Sequence, residues 1–156
     1  VDFNLLRQIA LARPEWSIVL IGKIGEGDPW TDSRLLEGLK NLTVLGPRDY
    51  ALLPQYLKGI DVALLPNMIN QYTAGMFPMK FFEYLAAGKP VVSTDLPALK
   101  DYRTLVHIGV SPSDFIEKIE IALTEDGRQR LSRLEAARKH TYAKRLEEMM
   151  DIVGGL

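Results

Sequence analysis

The sequence predicts an α/β domain in which a parallel sheet of about five strands carries helices on both faces. Short apolar segments alternate with helical segments along the 156 residues. The apolar segments also lack the alternation of polar and apolar residues that marks a strand with one solvated face. Strands covered on both faces and joined by helices belong to parallel sheets with right-handed crossovers.

The predicted elements follow in order from the N-terminus. Apolar residues recur at helical spacing after the capping residue Asp2, which predicts a helix over Phe3–Ala12, and the run Trp16–Gly22 predicts the first strand. Four more strands are predicted at Leu42–Leu45, Val62–Leu65, Pro90–Ser93 and Thr104–Ile108. Further helices are predicted at Arg34–Leu39, Pro54–Lys58, Pro78–Ala87 and Asp114–Thr124, and along the charged segment from Gly127 to about Val153. We expect residues 1–140 to form the domain and residues 141–156 to add a C-terminal helix or tail.

Composition narrows the classes of function. The hydrophobic fraction of 47% and the charged fraction of 25% are typical of a globular domain, and the net charge of −1 argues against a nucleic acid partner. The chain has no cysteine, which fits the cytoplasm and excludes thiol metal ligands. His107 and His140 lack partners at metal-ligand spacing, so we expect no metal site.

Loops that leave the carboxyl ends of parallel strands form the usual ligand-binding edge of such a sheet. Here these loops are Lys23–Asp32, Gly46–Tyr50, Asn67–Phe77 and Thr94–Pro97. The third is long and polar, and it leads directly into the helix predicted from Pro78. The N-terminus of a helix offers N–H groups and partial positive charge, so this position favours a phosphate.

Lys80 and Glu83 lie three residues apart and therefore on one face of the predicted helix. Lys80 can add positive charge at a phosphate site, and Glu83 can accept hydrogen bonds from the two hydroxyls of a ribose. Phe81, Phe82 and Leu85 are expected to face the core. From spacing alone, a simple surface ion pair between Lys80 and Glu83 stays open as an alternative.

The segment from Pro78 to Thr94 reads Pro-Met-Lys-Phe-Phe-Glu-Tyr-Leu-Ala-Ala-Gly-Lys-Pro-Val-Val-Ser-Thr. It closely resembles the donor-site motif of GT-B glycosyltransferases of the family-4 type, the glycosyl transferases group 1. Supporting similarity lies at Arg13–Trp16, Asn41–Gly46 and Tyr56–Pro66, and the resemblance extends from about Phe3 to Val110. It implies a Rossmann-like fold, the C-terminal half of a GT-B enzyme. Such a domain binds a UDP- or GDP-sugar, and the enzyme transfers a hexose-type sugar to an acceptor glycan or lipid-linked glycan.

The resemblance also implies roles for individual residues. Glu83 would bind the ribose hydroxyls, and Lys80 with the N–H groups near Pro78 and Met79 would meet the diphosphate. The remaining candidates lie in neighbouring loops: Gly46, Pro47 and Arg48 against the base, Thr73 and Gly75 near the sugar, and Gly22 at the end of the first strand. The catalytic residues are not identified, and the nucleotide sugar is the substrate, with no further cofactor and no metal expected.

Two departures from the family pattern affect the expected activity. Gly75 stands eight positions before Glu83, where retaining members often have a second Glu. The family's first strand and phosphate-binding turn have no counterpart before Phe3, so the strands at Trp16 and Val62 would either leave a gap or pair directly. We expect the chain's partner to be the N-terminal acceptor domain of the same polypeptide, which is also a potential site of peripheral membrane contact. That domain is absent from this chain, which begins at Val1 directly with a helix. We therefore interpret the chain as a fragment of a cytoplasmic enzyme that works at or near the inner face of the membrane.

We expect the chain alone to show little or no transferase activity. A turnover assay with a nucleotide sugar and an acceptor, run beside the full-length protein, tests this, and equal activity of the two would contradict it. Two other functions stay open on the sequence: a non-catalytic nucleotide-binding or interaction module, and a sugar-nucleotide epimerase of the same architecture. A hydride-transferring enzyme is disfavoured because the glycines at 22, 25 and 27 reverse the spacing of the dinucleotide fingerprint.

Overall fold

The computed structural model describes residues 1–24 and 32–140. The predicted tail at 141–156 and most of the loop after the first strand lie outside the described residues. The strands are β1 (Ile18–Ile21), β2 (Leu42–Gly46), β3 (Ala63–Leu65), β4 (Val91–Thr94) and β5 (His107–Gly109). The α-helices are α1 (Phe3–Ala12), α2 (Leu53–Lys58), α3 (Gln71–Ala74), α4 (Lys80–Ala86), α5 (Pro112–Leu123) and α6 (Arg128–Lys139). Short 3₁₀ segments occupy Ser33–Leu36, Tyr50–Leu52 and Pro97–Tyr102.

All strand pairs are parallel, as predicted, but the strands form two sheets rather than one. β1 pairs with β2, and β3, β4 and β5 pair in that order. No ladder joins β1 to β3 in the part of the chain that the structure describes. Of the two expected arrangements, the gap is therefore the one observed. Asp2 lies at this gap, where its backbone N–H donates to the carbonyl of Pro66, just beyond β3, at 2.6 Å.

Helices cover both faces of the three-stranded sheet, as predicted, whereas the two-stranded sheet keeps exposed residues such as Val44. On β4, Val92 packs with α1 and α5 in one apolar core, whereas Val91 packs with α4 and α6 in a second core. The first core spans the gap between the sheets, because Leu20 of β1 and Leu64 of β3 both pack against it. Side-chain packing therefore holds the two sheets together where backbone pairing does not.

Several predicted boundaries are corrected by local hydrogen bonds. α4 begins at Lys80 rather than Pro78, although the first turn forms before it, with the Phe81 N–H donating to the Pro78 carbonyl at 2.9 Å. β5 begins at His107 because the turn from Tyr102 to Leu105 precedes it, where the sequence predicts strand from Thr104. The predicted helix at Arg34–Leu39 is instead the 3₁₀ segment Ser33–Leu36.

The helix break predicted at Gly88 is confirmed. Gly88 adopts a φ of +71°, in the left-handed region that suits glycine at the end of a helix. An added Cβ at this position would lie 2.9 Å from Nε of Arg130 on α6. Gly88 therefore serves both to end α4 and to admit the close approach of α6.

A buried ionic network joins α6 to the turn after α5. Arg133 and Glu125 have side chains only 5% and 6% exposed, and Nη1 of Arg133 lies 2.6 Å from Oε2 of Glu125. The second carboxylate oxygen lies 2.5 Å from Nε2 of His107, and the Arg133 Nε–H donates to the Gly88 carbonyl at 3.3 Å. His107 thus has a structural environment, as the sequence indicates.

Among the helices that the described residues form, none has the length and apolar composition that a membrane span requires.

Candidate functional site

Two candidate residues, Gly22 and Gly46, lie side by side at the carboxyl ends of β1 and β2. The Gly22 N–H donates to the Gly46 carbonyl at 3.0 Å. Their φ angles are +132° and +71°, and a Cβ built on either would have no atom of the described residues within 4 Å. Among these residues, glycine is therefore required here by backbone conformation rather than by crowding.

The loop after Gly46 is fixed to the domain by side-chain hydrogen bonds. Nε of Arg48 donates to the hydroxyl of Tyr56 on α2 at 2.9 Å, and Nη1 donates to the Pro47 carbonyl at 3.0 Å. The carboxylate of Asp49 accepts from the Ala51 N–H at 3.0 Å and so caps the 3₁₀ turn that follows. Pro47 and Arg48 are exposed, so the loop offers a surface of defined shape at the sheet edge.

α4 places Lys80 and Glu83 on its outer face, as predicted. Phe81 and Leu85, both 0% exposed, anchor the opposite face in the core. The Lys80 and Glu83 side chains are 57% and 32% exposed, and Lys80 Nζ lies 3.8 Å from Glu83 Oε2. This separation exceeds a hydrogen bond, so the pair is loose and both groups remain accessible to a ligand. Before α4, Pro78 is buried and Met79 is 63% exposed.

Tyr50 brings the loop after β2 into contact with α4. Its hydroxyl donates to Oε1 of Glu83 at 3.1 Å, across 33 residues of sequence. This hydrogen bond to the carboxylate raises the pKa of Tyr50 above its usual value, because it stabilises the protonated phenol. The sequence places Tyr50 at the end of a candidate loop but does not single it out, because no local spacing links it to Glu83.

Thr73 and Gly75 lie in the polar segment before α4, which contains the short helix α3. Thr73 is buried, and its hydroxyl donates to the Met68 carbonyl at 2.7 Å and accepts from the Asn70 N–H at 2.9 Å. The Asn70 side chain accepts from the Thr73 N–H in return, which completes a capping box. The Thr73 hydroxyl is thus engaged within the loop, whereas Gly75 is exposed, and a Cβ added there would meet no atom of the described part of the chain within 4 Å.

A groove of about 790 Å³ extends from Glu83 and Tyr50 along α2, α4 and the turn between α5 and α6. Its walls are mostly apolar, with Leu53, Leu57 and Pro90 among them. Its charged lining residues are mixed in sign: Lys58, Asp61, Lys89, Glu125, Asp126, Arg130 and Arg133, in addition to Glu83. Glu83 and Tyr50 therefore both line a concave surface. Residues 1–24 and 32–140 contain no group of three or more His, Cys, Asp or Glu placed to hold a metal ion.

The fold and the motif on α4 together indicate a glycosyltransferase domain, and comparison with known proteins agrees. Residues 3–125 match the family described as glycosyl transferases group 1, and the chain belongs to this family. This confirms the resemblance carried by Pro78–Thr94.

Among curated proteins, one from Bacillus subtilis (strain 168) is similar to this chain. It is provisionally named as the teichuronic acid biosynthesis glycosyltransferase TuaH, and it is 35% identical over 131 residues. The aligned region covers 81% of this chain and 33% of the relative, so the chain spans about a third of that protein's length.

Proposed function

We propose that the chain is the donor-binding domain of a glycosyltransferase that uses a UDP- or GDP-sugar. The contact of Glu83 carries this proposal: its carboxylate accepts a hydrogen bond from Tyr50, at the end of the loop that follows β2. A nucleotide whose ribose met Glu83 would have its base beside Gly46, Pro47 and Arg48. Family membership supports the transfer chemistry, since the chain matches the family over most of its length.

Charge and accessibility fit a nucleoside diphosphate lying along the start of α4. Lys80 is more than half exposed and only loosely paired, so its ammonium is available to a phosphate. Met79 and Gly75, both exposed, border the same end of the helix, on the side where the sugar would lie. In this arrangement the domain stabilises the leaving diphosphate by positive charge, and the acceptor is bound by another part of the full polypeptide. Thr73 supports the loop rather than touching the sugar with its hydroxyl.

The acceptor and the cellular site follow from the relative by analogy. Its name refers to teichuronic acid biosynthesis, so we propose a glycan or lipid-linked glycan as acceptor and a hexose-type sugar as the transferred group. We propose that the full enzyme works in the cytoplasm, at the inner face of the membrane, where a lipid-linked acceptor would lie. No metal is assigned a part in donor binding.

Replacing Glu83 with glutamine is expected to weaken UDP or GDP binding by roughly 10- to 100-fold, because hydrogen bonds to a charged group each contribute ~1.5–3 kcal/mol. Isothermal titration calorimetry of the chain with UDP and with GDP measures this, and the nucleotide that binds identifies the base. Glu117→Gln, which changes an exposed glutamate on α5, is the matched control and should leave affinity unchanged.

Failure of both UDP and GDP to bind the wild-type chain contradicts the proposal, as does equal affinity of the Glu83→Gln variant. A sugar-nucleotide epimerase is distinguished by incubating the full-length protein with its nucleotide sugar and no acceptor. Conversion to an isomeric nucleotide sugar would favour the epimerase.

A further inference from the structure

The Glu83 carboxylate has one partner that orients it toward the nucleoside side of the proposed site. Tyr50 donates to Oε1 at 3.1 Å, whereas Lys80, the other neighbour, lies 3.8 Å from Oε2. Lys80 shares α4 with Glu83 and would draw the carboxylate along the helix axis. Tyr50 belongs to the segment that follows β2, and it draws the carboxylate toward the loop after β2. The direction of the carboxylate therefore depends on the tyrosine hydroxyl.

Tyr50 is itself held in place, although its ring is 70% exposed. It opens the 3₁₀ turn Tyr50–Leu52, which the Asp49 carboxylate caps and which continues directly into α2. The preceding loop is bound to α2 through Arg48 and Tyr56. A tyrosine on a fixed backbone loses little freedom when its hydroxyl bonds a partner, since it has only two side-chain torsions.

The hydrogen bond from Tyr50 does not exhaust the acceptor capacity of Glu83. An ionised carboxylate has about four lone-pair sites on its two oxygens, and the phenol occupies one. The remaining sites suffice for the two hydroxyls of a ribose. Tyr50 can therefore stay bonded to Glu83 while a nucleotide is bound, and its exposed ring then forms a wall beside the nucleoside.

We propose that Tyr50 is a positioning residue of the donor site, which fixes the Glu83 carboxylate in the orientation that a ribose requires; this rests on the proposed function. A flexible glutamate loses conformational freedom when a ligand immobilises it, and that loss weakens binding. Tyr50 removes most of this loss by ordering Glu83 before the nucleotide arrives. The effect acts on affinity and not on the stability of the fold, because the contact lies at the surface.

Tyr50→Phe, which keeps the ring and removes the hydroxyl, is expected to weaken UDP or GDP binding by roughly 3- to 10-fold. The melting temperature should stay within about a degree of wild type, since an exposed hydrogen bond adds little to global stability. A double-mutant cycle with Glu83→Gln tests whether Tyr50 influences nucleotide affinity through Glu83. If Tyr50 acts through Glu83, its removal should change affinity much less in the Glu83→Gln background than in wild type.

A titration without ligand tests the contact itself. The pKa of Tyr50, followed by NMR of ring-labelled tyrosine, should fall in Glu83→Gln, because the carboxylate that raises it is gone. An unchanged pKa, unchanged or tighter nucleotide binding in Tyr50→Phe, or full additivity in the cycle overturns the positioning role. If wild type binds the nucleotide and Glu83→Gln weakens it, the proposed function stands in each of those cases. If wild type binds neither nucleotide, both proposals fall.

Discussion

Glu125→Ala is expected to lower the free energy of unfolding by about 3–5 kcal/mol, because it leaves Arg133 as a buried charge without its counterion. The Arg133 side chain is 5% exposed, and in the variant its remaining bond in this network would be that from Nε to the Gly88 carbonyl at 3.3 Å. His107 loses its carboxylate partner at the same time. Urea denaturation followed by circular dichroism measures the change.

Glu135→Ala provides the matched control for this loss. Glu135 pairs with Lys139 at 2.9 Å on the same α6, but the two side chains are 69% and 63% exposed. Exposed pairs of this kind contribute about 0.3–0.5 kcal/mol. A second variant, Glu125→Leu with Arg133→Met, should recover much of the loss since it removes both charges together. Equal effects of Glu125→Ala and Glu135→Ala would show that burial of the network is not what stabilises it.

Gly109→Ala is expected to destabilise the chain by about 3 kcal/mol or more through overpacking. Gly109 ends β5 directly beneath α5, where an added Cβ would lie 2.6 Å from Cα and 2.8 Å from Cβ of Phe115. Phe115 is 0% exposed in the core that α1 and α5 share, so it has no free space into which to move. A real Cβ requires the α5 backbone to shift away from the sheet. The loss is measured by the same urea titration.

Gly127→Ala is the corresponding control, because within residues 1–24 and 32–140 a Cβ there would have no atom within 4 Å, and its φ of −67° suits alanine. It should be neutral or slightly stabilising, since alanine restricts the unfolded chain more than glycine does. If Gly109→Ala were as stable as Gly127→Ala, the close packing of β5 under α5 would be contradicted.

The elements that the sequence predicts well are those whose signals are local. α5 follows Ser111, whose side chain caps it, and Phe115 and Ile119 recur at helical spacing on its buried face. The apolar run at β4 and the stop at Gly88 are similarly explicit. Even the short helix α3 has a local signal that the prediction missed, because Asn70 and Thr73 stand at the spacing of a capping box.

The division of the strands into two sheets depends on pairing between distant segments, which local patterns do not encode. β1 and β3 do not pair, and the apolar core that contains residues of α1 packs against Leu20 of β1 and Leu64 of β3 instead. The candidate site shows the same limit. Lys80 and Glu83 follow from helical spacing and a recognised motif, but the contact from Tyr50 joins residues 33 positions apart and is visible only in three dimensions.

The gap between the two sheets runs through the ligand-binding edge, at the carboxyl ends of the strands, where the nucleotide is proposed to lie. Gly46 and Tyr50 follow a strand of the first sheet, whereas Glu83 belongs to the helix before β4 of the second. Apolar packing is non-directional, so small displacements of one sheet relative to the other break no backbone ladder. A donor that contacts residues of both sheets would favour the arrangement of the sheets that it binds. Donor binding and the association of the two sheets are then linked equilibria, and each strengthens the other.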